Sequence, residues 1–291
     1  MITGSIVAIV TPMHEDGSLD TDSLTRLVEH HIESGTDAIV SVGTTGESAT
    51  LNHDEHLVVI EKTIQCSNGR IPVIAGTGSN STAEALNLTK AAHELRADAC
   101  LLVVPYYNKP TQEGMYQHFK LIADSVPIPQ ILYNVPSRTS VDLHNATAIR
   151  LSHIDNIIGI KDATADIARG RQLMDNCAPG FVSYSGQDTA AMELMLAGGK
   201  GTISVTANAA PKLMHEMCAA AVAGNAELAN TLNDRLMPLH EAIFIESNPI
   251  PAKWAVSEQG LIQNHLRLPM LPLSDECKPQ LSAAMKMAGV L

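Results

Sequence analysis

Short apolar runs rich in Val and Ile recur along this chain about every 20 to 35 residues, each followed by a segment with helical periodicity. They do not alternate with polar residues, which indicates strands buried on both faces of a parallel sheet. Eight such units predict an α/β chain folded as a (β/α)8 TIM barrel. An open doubly wound sheet is the alternative, but no GxGxxG motif follows the first run. The runs occupy residues 5–10, 37–42, 71–75, 99–104, 129–133, 157–161, 181–185 and 201–205.

Helix signals lie between the runs. The apolar face of residues 24–32 is followed by Gly35, a common helix stop. The predicted helix starts carry Asn52 with Glu55, Ser81 with Glu84, and Asp188, at spacings typical of a cap or a capping box. After the eighth run we predict three more helices, interrupted near the prolines of 249–251 and 269–272. We therefore expect a barrel domain over residues 1–224 and a C-terminal helical extension over residues 225–291.

The net charge and the cysteines indicate which binding partners and which cellular compartment to expect. The formal net charge is -12, from 19 Lys and Arg against 31 Asp and Glu, and no basic cluster stands out. This argues against nucleic acid and anionic membranes as partners. The first apolar run is too short for a signal peptide, and no segment is long enough to span a bilayer. The five cysteines are scattered without a CxxC pair, which predicts reduced, mostly buried thiols in a cytoplasmic protein.

The chemistry of such a barrel is expected where the strands end, because the βα loops of TIM barrels build the active site at that face. The sixth run ends at Lys161, whose apolar approach can depress the pKa of its amine and let it attack a carbonyl carbon. Alternatively, its stem packs on apolar surface while the ammonium reaches water. No His, Asp and Glu cluster with metal-ligand spacing lies at these ends, so we expect no metal.

The other strand ends supply hydroxyl, phenol and guanidinium groups. Residues 43–46 form a Gly-rich loop that can hold a carboxylate or phosphate through its N–H groups, or can serve the turn alone. Tyr133 can move protons or simply pack, and Arg138 can hold a carboxylate or lie solvated at the surface. Together these groups suit a reaction in which Lys161 forms an imine with a keto acid. The imine then becomes an enamine, whose carbon attacks a second carbonyl.

Three motifs carry a resemblance to a known family. The segments GTTGE at 43–47, YNVPSRT at 133–139 and GIKDAT at 159–164 resemble, in order and at the expected strand ends, the motifs of the pyruvate-dependent class I aldolase family. The likeness runs essentially from end to end and includes ESNPIPAK at 246–253. Asp162 departs from the pattern, since Glu is common there. The resemblance implies condensation of pyruvate with L-aspartate 4-semialdehyde, the committed step toward diaminopimelate and lysine.

The resemblance also implies roles for individual residues. It makes Lys161 the imine-forming residue, so that no separate cofactor is needed, and Tyr133 the proton donor and acceptor. Thr44 is implied as a relay partner, as is Tyr107, which would reach in from a neighbouring subunit. Arg138 would receive the carboxylate of the semialdehyde. The implied pyruvate contacts are Thr45 and the main chain of Ile203, and Gly186, at the end of the seventh strand, is expected among the substrate contacts.

A second site is implied near His53 and His56. These two histidines alone do not make a zinc site. The simpler interpretation is that they are polar residues on an exposed helical turn. The resemblance offers a third interpretation, a site for L-lysine as feedback inhibitor, at a tight interface of a homotetramer built as a dimer of dimers. In it Glu84 would face an ammonium group, in competition with its predicted capping role. The residues that match are Ser48, Ala49, His53, His56, Asn80, Glu84 and Tyr106.

Two other functions stay open from the sequence. A sugar-acid aldolase of the same family, such as N-acetylneuraminate lyase, would share Lys161 and Tyr133. Arg138 favours the semialdehyde condensation, since the sialate-type enzymes need no guanidinium at that position. A barrel that only binds a small acid would be expected to lack the lysine or the tyrosine, and both are present.

Overall fold

Eight parallel strands close into a barrel in the computed structural model, which describes residues 1–291. Each strand pairs with its neighbours in chain order, and β8 pairs with β1 to close the sheet. The TIM barrel prediction is confirmed, and every strand lies within two residues of its predicted bounds. The strands are β1 (Gly4–Ala8), β2 (Ala38–Ser41), β3 (Val73–Gly76), β4 (Ala99–Val103), β5 (Gln130–Asn134), β6 (Ile157–Asp162), β7 (Val182–Ser185) and β8 (Gly201–Ser204).

Helices surround the barrel and extend it at the C-terminus. The helices that follow the strands are α1 (Thr21–Glu33), α2 (His53–Ser67), α3 (Thr82–Glu94), α4 (Gln112–Ser125), α5 (Pro136–Thr139), α6 (Asn145–Leu151), α7 (Ile167–Asn176), α8 (Asp188–Leu196) and α9 (Pro211–Val222). The three predicted C-terminal helices are present as α10 (Ala226–Ala242), α11 (Ile250–Glu258) and α12 (Lys278–Ala288). The predicted domain boundary falls in the turn between α9 and α10 and stays a prediction, because one continuous core includes residues from both sides.

Two apolar cores hold these layers together. The larger one lies between the strands and the helices and comprises 63 buried residues. The smaller one fills the barrel interior with 13 buried residues, among them Tyr133, Tyr184 and Ile203. Both faces of each strand are therefore buried, which is the reason the sequence shows apolar runs without alternation. None of the helices combines the length and the hydrophobicity that a membrane-spanning segment needs.

The predicted helix caps have three different outcomes. Asn52 and Glu55 form the full capping box. Ser81 accepts a hydrogen bond from the N–H of Glu84, but the Glu84 carboxylate turns to His53 and Ser79 instead of closing a box. The predicted cap at Asp188 is wrong, because Asp188 is the first residue of α8. Its carboxylate instead accepts hydrogen bonds from the backbone N–H groups of Val205 and Thr206, at 3.0 and 2.9 Å.

All five cysteines are free thiols, as predicted. Only Cys100 and Cys218 are buried, whereas the other three are half-buried, so the prediction of mostly buried thiols is wrong. Burial raises the pKa of the Cys100 thiol to about 12 and also raises the pKa of Cys218. Neither buried thiol is therefore a nucleophile at neutral pH.

Candidate active site

A cavity of about 490 Å³ opens at the C-terminal end of the barrel. Because all eight strands are parallel, their C-terminal ends meet at this face and bring together residues far apart in the chain. Of the predicted catalytic and substrate-binding residues, those that line the cavity are Thr44, Thr45, Tyr133, Arg138, Lys161 and Gly186. These six residues therefore line one continuous cavity.

Lys161 is the only lysine that lines this cavity. It lies near the end of β6 directly beside Tyr133 of β5, and its Nζ is 4.3 Å from the centroid of the Tyr133 ring. Only 5% of the residue is exposed. Burial lowers the pKa of the Lys161 amine to about 8, the nearby Asp188 carboxylate opposes this shift, and Arg138 adds to it. A useful fraction of this amine is therefore neutral and nucleophilic near neutral pH.

Tyr133 supplies a phenol next to that amine. Burial raises the pKa of the Tyr133 hydroxyl, while the charge of Arg138 and the Thr44 hydroxyl act in the opposite direction. The phenol is consequently protonated at neutral pH and can donate a proton to an atom bound at Lys161. The pair of a partly neutral amine and a protonated phenol is what imine formation requires.

The loop after β2 forms one wall of the cavity and holds a strained backbone. Val42 and Glu47, which flank the loop, have φ of 54° and 58°, in the left-handed region that β-branched and bulky residues rarely adopt. A Cβ added at Gly46 would lie 2.9 Å from the Cα of Val42, so a side chain there would displace the loop. The tight turn points Thr44 and Thr45 at the cavity.

The C-terminal extension anchors this loop. The carboxylate of Glu47 is buried and lies 2.5 Å from Nζ of Lys253, which has no exposed surface. Lys253 also donates to the backbone carbonyl of His265, at 2.6 Å. Burial lowers the pKa of the Lys253 amine, and the Glu47 carboxylate opposes that shift. Removing either partner would leave a buried charge unpaired, which typically destabilises a protein by about 3–5 kcal/mol.

Two predicted site residues lie elsewhere in the single chain. Ile203 is fully buried in the barrel interior and does not line the cavity. Tyr107 is 88% exposed, has a φ of 72°, and also does not line the cavity. Their predicted roles, a main-chain contact for Ile203 and a relay contributed from another subunit for Tyr107, stay predictions.

Two residues that bear on the site, Asn248 in the cavity lining and Asp188 near Lys161, were missed from the sequence. Asn248 lines the cavity and donates a hydrogen bond from Nδ2 to Oγ1 of Thr45, at 3.0 Å. Asp188 is buried close enough to Lys161 to influence the pKa of the amine. The motif at 246–253 was a signal for Asn248 in the sequence, but no spacing rule connects it with Thr45, 203 residues away.

A second cavity, of about 410 Å³, adjoins the first and shares Thr44, Val135 and Arg138 with it. It brings together six of the seven residues predicted for the inhibitor site, and only Asn80 is not among its lining residues. The six are Ser48, Ala49, His53, His56, Glu84 and Tyr106. A ligand in this cavity would therefore contact residues that also face the first one.

Glu84 is the charged centre of the second cavity. Its carboxylate accepts a hydrogen bond from Ser79 and lies 2.6 Å from Nε2 of His53. These partners lower the pKa of the Glu84 carboxyl, which is thus anionic at neutral pH and suited to an ammonium group. His56 is buried, with Nε2 donating to the carbonyl of Gly76 at 2.7 Å, so the interpretation of both histidines as exposed is wrong. Nowhere in the structure do three or more His, Cys, Asp or Glu side chains lie close enough together to hold a metal ion.

The family model described as "Dihydrodipicolinate synthetase family" matches residues 1–288 of the chain. The 4-hydroxy-tetrahydrodipicolinate synthase of Stutzerimonas stutzeri is 60% identical over 291 residues, which is 100% of both chains.

Solved structures agree with this sequence match. The crystal structure of the chloride-inhibited dihydrodipicolinate synthase from Acinetobacter baumannii complexed with pyruvate superposes with a TM-score of 0.99 at 58% identity, over 100% of both chains. A dihydrodipicolinate synthase from Cyanidioschyzon merolae with lysine bound superposes with a TM-score of 0.96 at 38% identity, over 100% of this chain and 99% of that one.

Proposed function

The chain belongs to the dihydrodipicolinate synthetase family, and on that premise we propose that Lys161 forms an imine with pyruvate, which then condenses with L-aspartate 4-semialdehyde. Membership confirms the resemblance carried by the three sequence motifs. The protein is a lyase with 4-hydroxy-tetrahydrodipicolinate synthase activity, on a route to diaminopimelate and lysine. The observation that carries the mechanism is the buried Lys161 amine beside the protonated Tyr133 phenol in a cavity lined by small polar donors.

The geometry supports a sequence of proton transfers around one covalent bond. The neutral Nζ of Lys161 attacks C2 of pyruvate, and the two protons that Nζ loses pass to the C2 oxygen, which leaves as water. Tyr133 is the proposed relay for these protons. Loss of a proton from C3 then gives an enamine. Carbon C3 of the enamine attacks the aldehyde carbon of the second substrate and forms the new carbon–carbon bond, while the aldehyde oxygen takes up a proton. The amino group of the second substrate then replaces Nζ of Lys161 at C2, which closes the ring and releases the lysine as a free amine. Thr45 and the N–H groups of the 43–46 loop would hold the pyruvate carboxylate throughout.

Arg138 is the proposed contact for the second substrate. It lies on α5, immediately after the strand that carries Tyr133, and it lines the cavity. Its guanidinium donates to the backbone carbonyl of Asn248 at 3.1 Å and keeps other N–H groups for a carboxylate. The position suits the carboxylate of L-aspartate 4-semialdehyde while its aldehyde carbon approaches C3 of the enamine held by Lys161.

The choice of second substrate tests this function against the sugar-acid alternative. With pyruvate present, we expect turnover of L-aspartate 4-semialdehyde at least about 100-fold faster than cleavage of N-acetylneuraminate, because Arg138 matches the carboxylate of the shorter substrate. Purified enzyme assayed with each substrate at matched concentrations measures the ratio. Faster cleavage of N-acetylneuraminate would overturn the proposed function.

We propose that the second cavity binds L-lysine as a feedback inhibitor. Its support is the anionic Glu84, the buried His56 beside it and the walls shared with the first cavity, together with the lysine-bound relative. An ammonium group of the ligand would pair with Glu84. Because Thr44 and Arg138 line both cavities, the bound ligand would contact the substrate site directly.

Glu84→Gln is expected to raise the half-inhibitory lysine concentration by about 10-fold or more, because the charge that pairs with the ammonium is lost. Inhibition is measured relative to the uninhibited rate of each variant. The matched control is Glu94→Gln, an exposed residue on the same helix, which should keep the inhibition of the unmodified protein. Equal inhibition of the unmodified protein and Glu84→Gln would show that lysine does not pair with Glu84.

We also propose that the protein assembles as a homotetramer. Tyr107 is 88% exposed in the single chain, and the proposed homotetramer would place it against the active site of a neighbouring subunit. Tyr106, which is 39% exposed and lines the inhibitor cavity, belongs to the same proposed interface.

We propose a cytoplasmic location, in keeping with five free cysteines. We also keep the division into a barrel of 1–224 and an extension of 225–291 as a proposal.

A further inference from the structure

Asn248 connects the two parts of the site that would hold carboxylates. It lies between α10 and α11, so it reaches the cavity from the C-terminal extension and not from a barrel strand. Its side-chain Nδ2 donates to Oγ1 of Thr45 at 3.0 Å, and its backbone carbonyl accepts from the guanidinium of Arg138 at 3.1 Å. One residue of the extension thus contacts both proposed carboxylate-binding residues.

The hydrogen bond to Thr45 determines what the threonine hydroxyl can do. Since Oγ1 of Thr45 accepts from Asn248, its own proton remains available to another acceptor. The hydroxyl can therefore donate that proton toward the cavity that Thr45 lines. Donation is what a pyruvate carboxylate at this position would require.

The other end of the Asn248 amide makes no hydrogen bond within the chain. The residue is 4% exposed, and its Oδ1 is buried without a hydrogen-bond partner. A buried polar atom left unpaired is costly and calls for an explanation. The only side-chain hydrogen bond of Asn248 is the one to Thr45, so the amide contributes its specific interaction to the site.

On the basis of the proposed function, we propose that Asn248 is a positioning residue that orients the Thr45 hydroxyl toward the carboxylate of pyruvate and, through its backbone, holds Arg138 for the carboxylate of the second substrate. The Glu47 to Lys253 ion pair anchors the loop of 43–47 independently. Truncation of the Asn248 side chain is therefore expected to leave the loop in place and to release only the hydroxyl of Thr45.

The test compares three side chains at this position by the pyruvate concentration that gives half-maximal borohydride trapping of the imine. We expect Asn248→Ala to raise that concentration about 10-fold, which is the loss expected for one hydrogen bond. We expect Asn248→Asp to raise it further, because a carboxylate would accept the Thr45 proton and turn the hydroxyl away from the substrate. A side chain that merely fills space would give the opposite order, since Asp keeps the size of Asn and Ala leaves a void.

A double-mutant cycle with Thr45→Val shows whether Asn248 acts through Thr45. In the Thr45→Val background, Asn248→Ala should change the half-maximal pyruvate concentration by less than about 2-fold, because the hydroxyl that it orients is gone. The matched control is Asn233→Ala, a buried asparagine of α10 with no contact to the cavity, which should leave the pyruvate dependence unchanged. Thermal unfolding of every variant verifies that each one folds.

The outcomes separate this inference from the proposed function. If the unmodified protein forms no trapped adduct with pyruvate, the proposed function is wrong, and the role of Asn248 is overturned with it. If the adduct forms and the effects of Asn248→Ala and Thr45→Val are fully additive, only the positioning role is overturned. Non-additive effects together with the larger loss in Asn248→Asp support it.

Discussion

Lys161→Ala is expected to lower kcat/KM for pyruvate by about 10⁴-fold or more, with the fold retained. The reason is that Lys161 is the only amine in the cavity, so no other group of the chain can form the imine. Steady-state turnover with L-aspartate 4-semialdehyde measures the loss. The matched control is Lys212→Ala, whose side chain is 78% exposed and lies outside the cavity, and it should keep the full rate.

The pH dependence of the unmodified enzyme follows from the same amine. Only the neutral form attacks, and the pKa of Lys161 is lowered to about 8, so kcat/KM for pyruvate should rise through this pH and level off about one unit above it. A rate that still climbs in proportion to hydroxide between pH 9 and pH 10 would indicate an amine with an ordinary pKa and would contradict the assignment of Lys161.

Tyr133→Phe is expected to lower kcat by about 10²- to 10³-fold, because the ring remains beside Lys161 while the proton donor is lost. The KM for pyruvate should change much less, since the phenol acts in proton transfer and not in holding the carboxylate. Steady-state kinetics with both substrates separates the two effects. Tyr116→Phe, on the outer helix α4, removes a hydroxyl far from the cavity and should have no effect on kcat. A Tyr133→Phe variant with an unaltered kcat would remove the phenol from the mechanism.

The barrel could be predicted because its strands are buried on both faces. A run such as 157–161 contains no polar position that alternates with apolar ones, and eight such runs leave few architectures open. The strand ends then indicated the catalytic face, since parallel strands place all their C-terminal residues on one side. Lys161, Tyr133 and Thr44 line the same cavity because each lies at or just after the C-terminal end of its strand.

Interactions across long chain separations could not be predicted. Asp188 was expected to cap its own helix, but its carboxylate accepts hydrogen bonds from the backbone N–H groups of Val205 and Thr206, just after β8. His56 was predicted on an exposed helical turn, yet its ring is buried and donates a hydrogen bond to the backbone carbonyl of Gly76. The pairing of Asn248 with Thr45 depends on the path of the C-terminal extension over the barrel, which no local pattern records.

Lys161 is proposed to bind pyruvate covalently, and borohydride reduction followed by peptide mass spectrometry tests this bond most directly. Incubation of the unmodified enzyme with pyruvate and borohydride should add one reduced three-carbon group to the peptide that contains Lys161. Pyruvate without borohydride should leave the mass of that peptide unchanged. If the peptide carries no adduct after reduction, or if the adduct lies on another lysine, the imine mechanism at Lys161 is contradicted.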